Sequence, residues 1–105
     1  MQHKKLADGK WQTFNLYEQL GNIGSEVGRA VHATDRNRRY EAGYRALELF
    51  DLTLADKRWY HRGSELARAR EIVVDFLFGD NTYKSEGSDL EAYFMHFAIV
   101  ARRDR

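Results

Sequence analysis

Residues 15–33 read NLYEQLGNIGSEVGRAVHA, and this stretch decides the fold. Asn15 is a residue type that accepts hydrogen bonds at a helix N-terminus, and Glu18 stands where a capping box places its acidic partner. Apolar residues then recur at alternating spacings of four and three, which is typical of one face of an α-helix. They are Leu16, Leu20, Ile23, Val27 and Ala30. The stretch predicts an amphipathic helix over residues 16–33.

Three further segments combine capping residues with the same periodicity and predict helices over residues 37–55, 65–78 and 89–102. We expect Ser64 to cap the third helix, and Ser88 with Glu91 to form a capping box at the fourth. The chain has no proline to interrupt helices, and the links are short and polar. The sequence therefore predicts an all-α fold, an up-down antiparallel four-helix bundle formed by residues 15–105 as a single domain.

The apolar residues of the later helices predict which faces turn inward. On the second helix the predicted face is Tyr40, Gly43, Tyr44, Leu47, Phe50 and Leu54. On the third it is Leu66, Ala69, Val73, Phe76 and Leu77, and on the fourth Leu90, Tyr93, Phe94, Phe97 and Ala101. Residues 1–14 are mostly polar and predict an N-terminal arm or short turn, from which Trp11 is the residue expected to dock on the bundle.

The composition limits the classes of partner that the protein is expected to bind. Of the 105 residues, 43% are hydrophobic and 31% charged, which is the balance of a globular chain. The formal net charge of +1 creates no overall field toward nucleic acid or a membrane, so such binding would need a local patch. The sequence contains no cysteine and no apolar run long enough to span a bilayer, and we expect no signal peptide. We expect a cytoplasmic protein that is not bound to a membrane.

Several large apolar residues point away from the predicted inward faces. Leu49 and Leu52 lie roughly opposite Leu47 on the second helix, and Met95 and Ile99 lie roughly opposite Phe97 on the fourth. Such residues on separate helices predict a second buried surface, formed by self-association or by a protein partner. The alternative is a broad, irregular core within one monomer.

The first helix carries three internal glycines, Gly21, Gly24 and Gly28. Each costs roughly 1 kcal/mol relative to alanine, so close backbone approach is the expected compensation. The neighbour that approaches is either a bulky side chain of the same chain or a helix of another subunit.

Charged residues within the predicted faces indicate one ion pair. Asp51 lies near the centre of the second-helix face and Arg70 at the edge of the third, so we expect a buried pair that fixes helix register.

Motifs for enzymatic chemistry are missing. The four histidines are scattered, and the Glu-x-x-His spacing of di-iron bundles does not occur. Helical ribonucleases of the HEPN type place histidine four to six residues after arginine, whereas Arg29–His32 and Arg58–His61 are each three apart. A small ribonuclease-type toxin is thus a less favoured hypothesis. We expect no catalytic residue, metal, cofactor or small-molecule substrate.

Arginines and aromatic residues suggest a second function, nucleic-acid binding. In an antiparallel bundle the 56–63 loop and the C-terminus share one end, which groups Arg58, Trp59, Arg62, Arg102 and Arg103. Arginine mixed with aromatic rings suits phosphate contact and base stacking. The alternative is ordinary solvated helix ends, with terminal arginines complementing the helix dipole.

The segments LYEQLGNIGSEVGRAV (16–31) and YRALELFDLTLAD (44–56) resemble small prokaryotic four-helix-bundle proteins. These are the proteins encoded in ribosomal-RNA intervening sequences and the accessory proteins of diversity-generating retroelements. Where that family has Asn-Ile-Ala-Glu-Gly, this chain has Asn-Ile-Gly-Ser-Glu at residues 22–26. The resemblance implies a ring-forming, basic, nucleic-acid-associated adaptor without catalysis. The leading expectation is a non-enzymatic interaction module that self-associates or docks on a protein partner.

Overall fold

A computed structural model describes residues 9–103 of this protein, except for the side chain of Ala101. Its four α-helices are α1 (Leu16–His32), α2 (Arg36–Leu54), α3 (Gly63–Phe78) and α4 (Gly87–Arg103). Short 3₁₀ segments at Trp11–Thr13 and Lys57–Arg62 precede α1 and α3. With no strand in the described part of the chain, the all-α four-helix prediction is confirmed. The up-down antiparallel course of the bundle stays a prediction.

The helix starts follow local chemistry, and α1 begins as predicted. The Glu18 N–H donates to Asn15 Oδ1 at 2.8 Å, and the Asn15 N–H donates to Glu18 Oε1 at 3.0 Å, which completes the capping box. The prediction for Ser64 was wrong, because the preceding 3₁₀ segment continues directly into α3 and leaves no side-chain cap.

The predicted capping box of Ser88 with Glu91 was also wrong. Helix α4 begins at Gly87, two residues earlier than predicted. Glu86 therefore immediately precedes the helix, and Asp89 is the acidic residue three positions after it. The Asp89 Oδ2 accepts the Glu86 N–H at 3.0 Å. The carboxylate still lies in the first turn, where it complements the positive end of the helix dipole.

The core lies where α1 packs against both α2 and α4, and α2 packs in addition against α3. All five predicted inward residues of α1 are buried. The buried apolar residues of the other helices are Ala42, Ala46, Leu49, Phe50, Leu66, Ala69, Val73, Leu77, Leu90, Phe94 and Phe97.

The predicted inward face of α2 was wrong in part, by a rotation about the helix axis. Gly43 and Phe50 are buried as predicted, but Tyr44 is exposed, and Ala42 and Ala46, which were not predicted, face the core. The predicted face was centred on large side chains, whereas close helix packing favours small residues at the contact. This rotation turns Leu49 inward and the neighbouring Asp51 outward.

The predicted arm is in part packed on the bundle. Its first eight residues lie outside the described residues. Trp11 is completely buried, and its Nε1 donates to Thr53 Oγ1 on α2 at 3.0 Å. Because burial of an aromatic ring with its polar atom satisfied is strongly stabilising, the Trp11–Thr13 segment forms part of the domain's core.

Candidate functional site

A groove of about 560 Å³ runs between α1 and α4 on the surface of the domain. It brings together five of the seven residues predicted to form an oligomer or partner interface. They are Gly21, Gly24, Gly28, Met95 and Ile99. The two groups were predicted on separate grounds. Those on α1 are glycines inside a helix, and those on α4 are apolar residues outside the predicted inward face. Their convergence makes the groove the candidate site.

Two of the glycines on the α1 side, Gly21 and Gly28, are not explained by packing within the described chain. A Cβ placed on Gly21 or Gly28 would have no atom of the described residues within 4 Å. A Cβ on Gly24 would lie 3.5 Å from Phe94 Cβ, an ordinary van der Waals distance. By contrast, a Cβ on Gly43 in α2 would lie only 2.8 Å from Phe78 Cζ. Gly43 thus serves close packing inside the bundle and Gly24 faces Phe94, whereas Gly21 and Gly28 leave an open surface.

The α4 side of the groove projects apolar side chains into solvent. Met95 is 66% exposed and Ile99 is 44% exposed, while Phe94 and Phe97 on the same helix are buried. A surface with apolar projections beside side-chain-free backbone is typical of a helix-packing interface.

The ends of the groove are polar. At one end His32 Nε2 lies 2.5 Å from Glu91 Oε1. At the other end the Arg102 guanidinium lies 5.4 Å from the centre of the Tyr17 ring. Between them the Ser25 hydroxyl donates to the Gly21 carbonyl at 3.0 Å, so this hydroxyl is bonded to the backbone of its own helix. The groove therefore has an apolar middle bounded by groups that can pair with charges.

Sequence reasoning missed Tyr17, His32 and Glu91 as groove residues. For His32 and Glu91, the spacing from predicted interface residues indicated a shared helix face. Glu91 lies four residues before Met95, and His32 lies four residues after Gly28, so each shares a helix face with its interface residue. This spacing identifies groove residues only once α1 and α4 are known to be neighbours.

Two residues of the predicted interface do not belong to this surface. Leu49 is only 2% exposed and lies in the core, and Leu52 is partly buried against it. The prediction for Leu49 was wrong because α2 is rotated relative to its predicted orientation.

The predicted contact of Asp51 with Arg70 is present, but it is not buried. Arg70 Nε donates to Asp51 Oδ1 at 2.9 Å, with the two side chains 34% and 60% exposed respectively. The prediction of burial was wrong, again because α2 turns Asp51 outward. Ion pairs of this exposure contribute about 0–1 kcal/mol.

The structure pairs the loop arginines of the predicted nucleic-acid patch with carboxylates. Arg58 pairs with buried Asp56, and Arg62 is itself buried and pairs with Glu65. Trp59 is half-buried, and Arg102 and Arg103 lie exposed at the end of α4. Because carboxylates oppose the two loop arginines, their attraction for phosphate is weakened. The nucleic-acid hypothesis stays a prediction, for which salt-sensitive binding is the test.

Asp56 and Gln19 form the centre of a buried polar network at that end of the bundle. Gln19 Nε2 donates to Asp56 Oδ2 at 3.2 Å and to the Trp11 carbonyl at 3.0 Å, while its Oε1 accepts from Trp59 Nε1 at 3.0 Å. The hydrogen bond from the Arg58 side chain lowers the pKa of Asp56 despite its desolvation. Satisfied networks of this kind fix a packing arrangement, so we assign this one a structural role.

The described residues contain no cluster of three or more His, Cys, Asp or Glu side chains that could hold a metal ion. None of the described helices combines the length and apolar character that crossing a membrane requires. Comparisons with protein-family models, curated proteins and solved structures returned no match to this chain. The described chain is thus defined by its all-α four-helix fold and by the groove between α1 and α4.

We expect Gly21→Ala and Gly28→Ala each to raise the free energy of unfolding by about 0.5–1 kcal/mol, because alanine is the better helix former and the space is open. Urea denaturation followed by circular dichroism at submicromolar protein would measure this. Gly43→Ala is the matched control and should be destabilising, since its Cβ meets Phe78. A destabilising effect at both Gly21 and Gly28 would contradict the open geometry.

Proposed function

We propose that this protein is a non-enzymatic interaction module that docks a partner α-helix in the groove between α1 and α4. The observation that carries the proposal is the set of helix glycines beside exposed apolar side chains. At roughly 1 kcal/mol each, Gly21 and Gly28 together cost about 2 kcal/mol, a large share of the 5–15 kcal/mol that stabilises a domain. A partner backbone that approaches closely over these positions offsets that cost.

The chemistry of the groove specifies its occupant. Met95 and Ile99 need apolar side chains to cover them, and the glycine surface needs projecting side chains to fill it. A helix with apolar residues at spacings of three and four supplies both from one face. Glu91 and His32 at one end, and Arg102 at the other, suit a helix that carries polar residues beyond its apolar centre.

A role without catalysis is supported by the polar groups of the groove. The Ser25 hydroxyl is bonded to a carbonyl of its own helix, and His32 contacts Glu91 at the rim. Nucleophilic catalysis needs a hydroxyl held beside a base and near groups that stabilise a developing charge. The apolar character of the rest of the surface fits association better than such chemistry.

The test uses a defined helical probe. It is a fluorescein-labelled peptide of the 17 residues of α4, with a hydrocarbon staple replacing Leu90 and Phe94, which face the core in the folded protein. We expect saturable binding to the full chain by fluorescence polarisation. Gly28→Leu should weaken it at least about tenfold, equivalent to 1.4 kcal/mol, because the new side chain fills the groove.

The matched control is Gly63→Leu, at another helical glycine with open space around it but outside the groove. It should leave peptide affinity unchanged. Absence of saturable binding to an unmodified chain that is monomeric at the assay concentration would overturn the proposed function, as would equal losses of affinity in the two leucine variants.

A further inference from the structure

We infer that the helix that docks in this groove is α4 of a second copy of the chain, which makes the protein a two-fold symmetric dimer. The inference rests on the proposed function and names its partner. Its basis is that one surface carries both halves of a helix-packing contact, projecting side chains on α4 and open glycine backbone on α1. Two-fold dimers are formed by such self-complementary surfaces.

The shape of the surface selects one way of joining the copies. A two-fold axis across the helices would place α1 over α1 and α4 over α4. The exposed side chains of α4 would then face their own counterparts, and the open glycine surface of each α1 would face the other instead of receiving those side chains. An axis parallel to the helices places α4 of each copy over α1 of the other, so that Met95 and Ile99 fill the space above the glycines.

The charges at the groove ends agree with the same arrangement. Within one copy, three levels of α4 and α1 lie side by side: Glu91 with His32, Phe94 with Gly24, and Arg102 with Tyr17. A two-fold axis parallel to the helices leaves each residue at the same height along them. Residues that lie at one level within a copy therefore also face each other between the copies.

Under this arrangement Glu91 of one copy meets His32 of the other, and Arg102 meets the other Tyr17. Each polar group then faces the type of group that it already contacts in its own copy. No two like charges are brought together at either end of the groove. The groove is therefore complementary to itself in charge as well as in shape.

Cysteine crosslinking tests both the dimer and its register, because the chain has no cysteine of its own. Ser25→Cys and Met95→Cys are made in separate preparations, mixed in equal amounts and oxidised. We expect the mixed disulfide between the two variants to exceed either like-with-like disulfide several-fold. Ala67→Cys, at an exposed position on α3, replaces Ser25→Cys as the control and should give no such preference.

Sedimentation equilibrium of the unmodified chain should give twice the monomer mass of 12.3 kDa, and Met95→Glu should give a monomer. Met95 is exposed, so this variant should keep the helical circular dichroism of the parent. A chain that stays monomeric while the stapled peptide binds would overturn the second-copy inference and leave the proposed function standing. A dimer that Met95→Glu does not dissociate, or whose crosslinks join Met95→Cys only to itself, would also overturn it.

Discussion

Replacing Trp11 with alanine is expected to lower the free energy of unfolding by about 3–5 kcal/mol, the usual cost of removing a buried large aromatic side chain. The indole is completely buried and packs edge-on against Phe14, with ring centres 5.7 Å apart. Its loss would also leave the buried Thr53 hydroxyl without the donor that now occupies it. A small domain has 5–15 kcal/mol of stability, so the variant would lie close to unfolding.

Urea denaturation followed by circular dichroism at 222 nm measures this effect. Trp11→Phe is the control, because it keeps most of the packed ring and removes only the hydrogen bond to Thr53. It should cost about 1–3 kcal/mol. A loss below about 1 kcal/mol for Trp11→Ala would show that the segment behaves as a free arm, against the docking of Trp11 that the sequence predicted and the structure shows.

Replacing Arg45 with methionine should lower the free energy of unfolding by about 3 kcal/mol, because it leaves a buried carboxylate short of its partner. Glu26 on α1 is 5% exposed and contacts both Arg45 on α2 and Arg29 on its own helix. Arg29 is largely exposed, so its contact compensates only part of the loss.

The control is the double variant Glu26→Leu with Arg45→Met. It removes both charges and places apolar side chains of similar size between α1 and α2, which is often close to neutral. We therefore expect the double variant to be more stable than Arg45→Met alone, by chemical denaturation at neutral pH. Equal stability of the single and double variants would contradict a buried, paired carboxylate.

The two stability predictions and the groove concern different parts of the domain. Trp11 holds the N-terminal segment against α2, and the Glu26–Arg45 pair holds α2 against α1. The glycines lie on the face of α1 that lines the groove with α4. Substitutions at Gly28 and Met95 can therefore change association without disturbing the core, which is what makes the groove experiments interpretable.

Local sequence was sufficient to locate the four helices to within two residues at each end, although it misplaced the caps of α3 and α4. Asn15 and Glu18 determine where α1 begins, and the apolar spacing of α1, α3 and α4 identifies their buried faces. The physical reason is that capping bonds and amphipathic periodicity involve residues within one or two turns of each other. The residues of the groove were also marked locally, as unexplained glycines and as apolar side chains on the outer face of α4.

Tertiary structure alone decided how those faces combine. It turned α2 so that Ala42 and Ala46, rather than Tyr44, face the core, and this rotation exposed Asp51 and buried Leu49. It also placed α4 beside α1, which joined two separate sets of residues into one groove. The rotation of a helix about its axis and the choice of the helices it packs against depend on how side chains of distant segments fit together. The spacing of residues within a single helix carries no information about that fit.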